Sequence, residues 1–184
     1  MRSLEFSMGG LHIRIRIIGG CGSGKSFIAR ELSERYGIPY YETDNFVWER
    51  GLVDSRRSPE ARDTRLLEAV ALKEWIIEGV HYKWGIESFR QADLIFLITP
   101  NKYVRDLRVV QRFIKTNLGL EQRNYRQSLQ NLYVMLFEWN RSFDREGLPK
   151  ILELTEEFAA NRIVVKKNRD ILKYVDEYAN RGSC

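Results

Sequence analysis

Eight residues, Gly19-Gly20-Cys21-Gly22-Ser23-Gly24-Lys25-Ser26, constrain this chain more than anything else in it. They satisfy the pattern G-x-x-x-x-G-K-[ST], and their flanks suit it. The preceding LHIRIRII (11–18) sets β-branched Ile13, Ile15 and Ile17 at alternate positions, as a strand prefers. The following FIARELSERYG has helical spacing and closes on Gly37. Strand, glycine loop and helix in that order form a cradle for a phosphate chain. Glycines let successive N–H groups turn inward, and the helix N-terminus adds its field and free donors. Lys25 is then placed to reach the β/γ-phosphates, and the Ser26 hydroxyl to hold Mg²⁺. Cys21 lies inside the loop as a small side chain, its thiol open to oxidation near a helix N-terminus. A dinucleotide fingerprint fails on spacing, because lysine stands at position 25 where a third glycine is needed.

The rest of the chain continues the alternation. PYYE (39–42) reads as a second strand. A helix is expected over 59–73, with Pro59 at its start and Leu66, Leu67, Val70 and Leu72 on or near one face. Trp75–Ile77 reads as a third strand ended by Glu78-Gly79, 93–98 as a fourth, and 162–165 as a fifth. Helices are expected over 102–116, 124–141, 149–160 and 169–180. Strands alternating with helices predict an α/β fold with a mostly parallel sheet covered on both faces. The two helices within 102–141, with no strand between them, read as an insertion over the sheet's active edge.

One domain over 11–180 fits 184 residues, and 43% hydrophobic with 30% charged residues is globular composition. No apolar run is long enough to span a membrane. The first residues lack a signal-peptide core, and the Met-Gly-Gly at 8–10 reads as a native start. Two cysteines, Cys21 and Cys184, suit neither a disulfide scaffold nor a metal site, so a cytoplasmic location is the expectation.

The net charge of +5 is not spread evenly. Residues 1–100 hold 14 basic and 14 acidic side chains, 101–150 hold 10 and 5, and 151–184 hold 6 and 6. The entire excess sits in the third quarter. A local excess points to a small anionic target such as nucleotide phosphates rather than to a general nucleic-acid surface. Arg105, Arg108 and Arg112 share one helical face at i, i+3, i+7, with Leu107, Val110 and Ile114 largely on another. Arginines so aligned repel one another unless anions answer them, and phosphoryl transfer needs such donors. A solvent-facing stripe is the plainer alternative. Arg123 and Arg126 follow in the next segment.

Ligands of open α/β sheets bind beyond the carboxyl ends of the strands. Glu42 and Asp44 follow strand two there, and Glu78 ends strand three. Asp44 reads either as the carboxylate that orients an acceptor hydroxyl or as a helix cap or turn residue. Glu42 and Glu78 read as carboxylates that order Mg²⁺-bound water, or as solvated strand ends. His81, Trp48, Tyr82 and Trp84 are candidates to line an acceptor pocket, and Asp93, at the other end of its strand, reads as structural.

These residues together resemble the P-loop small kinases of the adenylate and shikimate kinase group, and more closely the DNA topology modulation (FlaR-related) proteins. The resemblance rests on 17–26, on Asp44-Asn-Phe-Val-Trp48, on Trp75-Ile-Ile-Glu-Gly-Val-His-Tyr82 and on Leu148-Pro-Lys-Ile-Leu152. It implies a three-layer sandwich with a five-stranded parallel sheet in the order 2-3-1-4-5 and a helical lid over 102–141. Glu42-Thr-Asp44 resembles the shikimate kinases' paired acidic residues, which implies Glu42 near the metal and Asp44 at the acceptor. Lys167-Asn168-Arg169 corresponds to the group's base-contacting loop, and Arg105, Arg108 and Arg112 to its lid arginines. Glu78 stands where aspartate is commoner, and Val80-His81 replaces an asparagine-containing turn.

The residues admit two main functions, with a slow NTPase as a third. One is an ATP- and Mg²⁺-dependent phosphotransferase acting on a small hydroxyl or phosphate acceptor, a nucleoside or nucleotide among the candidates. The other is a nucleotide-binding regulatory module associated with DNA topology, without kinase activity. No Asn-Lys-x-Asp base motif marks a GTPase.

Overall fold

A computed structural model describes residues 12–51, 54–119 and 128–181. Five strands form one parallel sheet: β1 (Arg14–Gly19), β2 (Tyr40–Glu42), β3 (Trp75–Glu78), β4 (Leu94–Ile98) and β5 (Arg162–Val165). Their spatial order is 2-3-1-4-5, with β1 in the centre, as expected. A small antiparallel hairpin, Trp48–Glu49 with Ser55–Arg56, stands apart from the sheet.

The alternation of β1 splits the core in two. Ile13, Ile15 and Ile17 face helix α1 (Lys25–Tyr36) and the C-terminal helix Asp170–Arg181, in a cluster with Ile28, Leu32, Phe96, Ile171 and Val175. On the other face Trp75, Ile77, Ile95 and Leu97 pack with Leu66 and Val70 of α3 (Pro59–Val70) and Phe89 of α4 (Ile86–Arg90). Burial of both sheet faces is what a parallel sheet requires. Arg16 shares the second face and is fully buried.

Local rules set the helix ends. The Ser58 hydroxyl accepts the Ala61 N–H at 3.2 Å with Pro59 in the first turn of α3. Gly37 closes α1 at φ 71°. Asn101 caps α5 (Lys102–Asn117) through the Tyr103 N–H at 2.9 Å.

Three expectations need correction. Helix α3 ends at Val70 rather than 73, and only Leu66 and Val70 of the four apolar residues are buried. Leu67 and Leu72 are exposed, since Leu67 lies about 100° round the helix from Leu66 and Leu72 lies past its end. The break expected between 141 and 149 is absent, and the chain is helical from 129 to 154. Two wider π-helical stretches, Val134–Trp139 and Phe143–Gly147, interrupt that run. The second immediately precedes the Leu148–Leu154 helix, which has proline in its first turn. A widened turn accommodates a residue that has no N–H and whose ring crowds the preceding turn. Beyond it, residues 156–161 form a 3₁₀ turn instead of extending the helix. The expected helix start at 124 lies outside the described residues, while 102–117 and 129–141 are helical.

Candidate active site

The glycine loop joins β1 to α1 at the carboxyl edge of the sheet. Gly22 and Gly24 hold φ of 75° and 89°, the left-handed conformations that turn such a loop. Lys25 opens α1, and its Nζ donates back to the Gly20 carbonyl at 3.3 Å. The Ser26 hydroxyl donates to Glu78 Oε1 at 2.6 Å. Strand β3 neighbours β1 in register, Ile17 opposite Glu78, which is how a residue 52 positions away meets Ser26.

Glu78 is buried, and loss of water raises its pKa above the ordinary carboxylate range. Lys25 and the Ser26 hydrogen bond oppose that rise, and Glu42 and Asp44 add to it. Glu42 pairs with Glu78 across β2 and β3 and accepts the Tyr40 hydroxyl. The oxygens of Ser26 and Glu78, with Glu42 beside them, are the hard donors that suit Mg²⁺, an ion that takes one or two protein oxygens and completes its shell with water and phosphates. No group of three His, Cys, Asp or Glu side chains placed to hold a metal ion occurs among the described residues.

Asp44 lies in the first turn of α2 (Thr43–Val47) and caps nothing: the residue at the cap position is Glu42. Instead His81 Nε2–H donates to Asp44 Oδ1 at 3.1 Å. That bond holds the Asp44 carboxyl below its usual range, with burial opposing and Lys25 and Arg50 assisting. The His81 ring rests 5.2 Å from Trp84, which packs under the Arg62 guanidinium at 4.6 Å. Tyr82 lines a separate cavity of about 290 Å³ with Gly20, Cys21 and Phe143. Trp48 stands in the outer hairpin, more than a third exposed. Asp93 is structural, binding the Arg14 N–H at 2.8 Å and its guanidinium at 3.3 Å.

Helix α5 buries Arg105, only 4% exposed, and Val109, leaves Arg112 half-buried and Arg108 exposed, and keeps Leu107 and Ile114 in solvent. Arg105 already has its anion: Asp144 accepts two hydrogen bonds at 2.6 and 2.7 Å, beside Gly20 of the loop. Arg108 donates to the Ser23 carbonyl at 3.4 Å. Arg108, Arg112 and Lys115 line a cavity of about 470 Å³ with Gly24, Phe27, Asn168 and Arg169. Four of the third quarter's cations, Arg105, Arg108, Arg112 and Lys115, therefore stand at the glycine loop or the cavity beside it. Asn168 Nδ2 donates to the Gly24 carbonyl at 3.2 Å, and the Arg169 guanidinium lies 5.5 Å from the Phe27 ring centre. Lys167, by contrast, does not line the cavity, and its carbonyl accepts the Asp170 N–H. Arg123 and Arg126 fall outside the described residues.

Two contributors escaped the sequence reading. Asp144 answers Arg105 from 39 residues away, and Arg16 ties the end of β3 from within the core. Arg16 had a signal, a charge alternating with isoleucines in a strand whose two faces are both buried. Asp144 had none.

No protein-family model matches this chain, and no curated protein matches it. Solved structures do. The shikimate kinase from Acinetobacter baumannii in complex with shikimate superposes with a TM-score of 0.55 at 17% identity, over 94% of this chain and 96% of that one. A shikimate kinase from Bacteroides thetaiotaomicron gives 0.45 at 14% identity over 85% and 87%, and a gluconokinase from Sinorhizobium meliloti 1021 gives 0.41 at 17% over 77% and 97%. The first likeness establishes a P-loop kinase-like α/β fold. None of the comparisons supports the resemblance to DNA topology modulation proteins.

Proposed function

We propose that this protein transfers the γ-phosphoryl group of ATP to a small acceptor bearing a hydroxyl or phosphate. The observation that carries the reading is convergence. The Ser26–Glu78 pair at 2.6 Å, the Lys25 ammonium and Arg108 of α5 border one glycine loop, and the Asp44–His81 pair lies near enough to Lys25 for Asp44 to feel its charge. Glycine-loop N–H groups and Lys25 hold the phosphates, and the Arg108–Arg112–Asn168–Arg169 cavity takes the rest of the nucleotide. Ser26, with Glu78 and Glu42, would hold Mg²⁺, which supplies charge neutralisation on the phosphates. Asp44 accepts a hydrogen bond from the incoming hydroxyl and aligns it, a positioning role that matters more than early proton removal in a loose transition state.

Kinase chemistry wants cations converging on the loop, whereas a nucleic-acid module wants a continuous cationic track with stacking bases. The placement of Arg105 and Arg108 against the loop favours the first. The shikimate bound to the superposed Acinetobacter baumannii enzyme suggests hydroxy acids as the class to begin with. The test is ADP formation from ATP and Mg²⁺ across sugars, hydroxy acids, nucleosides and nucleotides, read above the no-acceptor rate, with Lys25→Ala as control. Turnover that depends on one acceptor class and vanishes in K25A is the expected result. Tight ATP binding with no acceptor-dependent ADP would favour the nucleotide-binding module.

A further inference from the structure

Arg16 is 0% exposed, a charge set in the central strand where the opposite face and both neighbours are isoleucine. Its guanidinium lies 4.8 Å from the Phe89 ring centre and donates four hydrogen bonds, all to carbonyls. Nη1 reaches Ile17 at 2.6 Å and Ile77 at 3.2 Å; Nη2 reaches Gly79 at 3.2 Å and His81 at 2.9 Å. Burial lowers its pKa to about 10, still well above neutrality, so the buried group is charged.

The three acceptors beyond its own strand, Ile77, Gly79 and His81, are alternate residues of one segment, the end of β3 and the turn after it. That segment carries Glu78, which receives the Ser26 hydroxyl, and His81, which holds Asp44. Backbone geometry alone does not fix the turn. Gly79 has φ of 145°, a conformation open chiefly to glycine, and a glycine is the residue with most freedom to leave it. A planar fork whose two Nη atoms each donate twice suits these carbonyls better than a single ammonium, which has three donors on one atom and none to spare for Ile17. A leucine at position 16 would fill the same core space without desolvating a charge, so packing does not account for arginine here.

We propose that Arg16 is a positioning residue: it locks the 77–81 turn to the phosphate-loop strand, and so fixes the His81–Asp44 pair and Glu78 relative to Ser26. The consequence for turnover rests on the kinase reading above; the locking itself does not.

The chain has two histidines, His12 and His81, so the His81 ring resonances can be assigned by comparison with His12→Asn. In the full-length protein at one fixed pH, Asp44→Asn should move the His81 ring ¹⁵N and ¹H shifts. In an Arg16→Met background the same Asp44→Asn change should move them little, because the turn no longer presents His81 to Asp44. Arg16→Lys, with fewer and less directed donors, should fall between. With an acceptor identified, R16M should lower kcat/KM for the acceptor by about 10–100-fold and raise the Mg²⁺ requirement, with KM for ATP little changed and partial recovery in R16K. A His81 shift and Asp44 response that are the same in R16M as in the parent would overturn the proposal. Should R16M fail to fold, R16K decides by the same measurement: an unaltered Asp44 response there overturns it equally. If the parent phosphorylates no acceptor, the kinase reading fails while the resonance measurement still judges the lock.

Discussion

At the scale of single residues, the site sets two carboxylates apart by environment. Asp44 is held ionised by His81, whereas burial pushes Glu78 toward its neutral form. Asp44→Asn keeps the size and loses the charge and most of the basicity. It should depress acceptor turnover by about 10²–10⁴-fold while leaving ATP affinity near that of the parent, measured by steady-state kinetics beside a nucleotide titration. Near-parental kcat/KM would reduce Asp44 to a partner of His81. Glu78 makes a prediction of a different kind. Its folded pKa lies above its unfolded value of 4.5, so the native state binds more protons and stability falls as pH rises through the folded pKa. The stability tied to this group is fully present below the unfolded pKa. Glu78→Gln removes that dependence. Its thermal midpoint should exceed the parent's at neutral pH, and the gap should close as pH drops below the ordinary carboxylate range. Thermal melts from pH 4 to 8 without Mg²⁺ would show a constant gap, or one of opposite sign, if Glu78 were no burden to the fold.

At the scale of elements, the end of β3 packs closely against α2. A Cβ on Gly79 would stand 1.7 Å from Thr43 Oγ1, at a φ of 145° that other residues avoid. Gly79→Ala should therefore cost about 3 kcal/mol by denaturant unfolding, strain and overlap together. Gly37→Ala is the natural comparison, since Gly37 has φ of 71° and open space around it. It should cost about 1 kcal/mol, the left-handed penalty alone. Equal losses would mean that α2 can retreat from the turn. Helix α5 separates two faces that were legible in its sequence: Arg105 lies buried against Asp144 and Arg108 reaches the Ser23 carbonyl of the glycine loop, whereas Leu107 and Ile114 are exposed.

At the scale of the whole molecule, the Arg105–Asp144 pair joins α5 to the helical run 129–154 and holds both against the loop. Asp144→Ala would leave a nearly buried guanidinium without its main partner. The expected loss is about 2 kcal/mol of stability, with faster proteolysis within 102–154 than in the sheet, followed by limited digestion. Uniform cleavage across the chain would show that the pair does not organise this half of the molecule. Sequence by itself determined the sheet, its five strands and the phosphate loop, because the periodicity of β1 and the spacing from Gly19 to Ser26 are local chemistry that any flanking structure must accept. The resemblance to known kinases added the strand order. Sequence also placed Lys25, Ser26, Asp44 and Glu78 at the sheet's carboxyl edge, since topology sends every parallel strand end there. Only the tertiary structure decided which partners these groups meet. Asp44 found His81 rather than a backbone N–H, Arg105 found Asp144, and a buried Arg16 gathered the carbonyls of 77–81. Such pairings join residues 37 to 65 positions apart, and they depend on polar atoms approaching within about 3 Å, a distance that sequence separation does not encode.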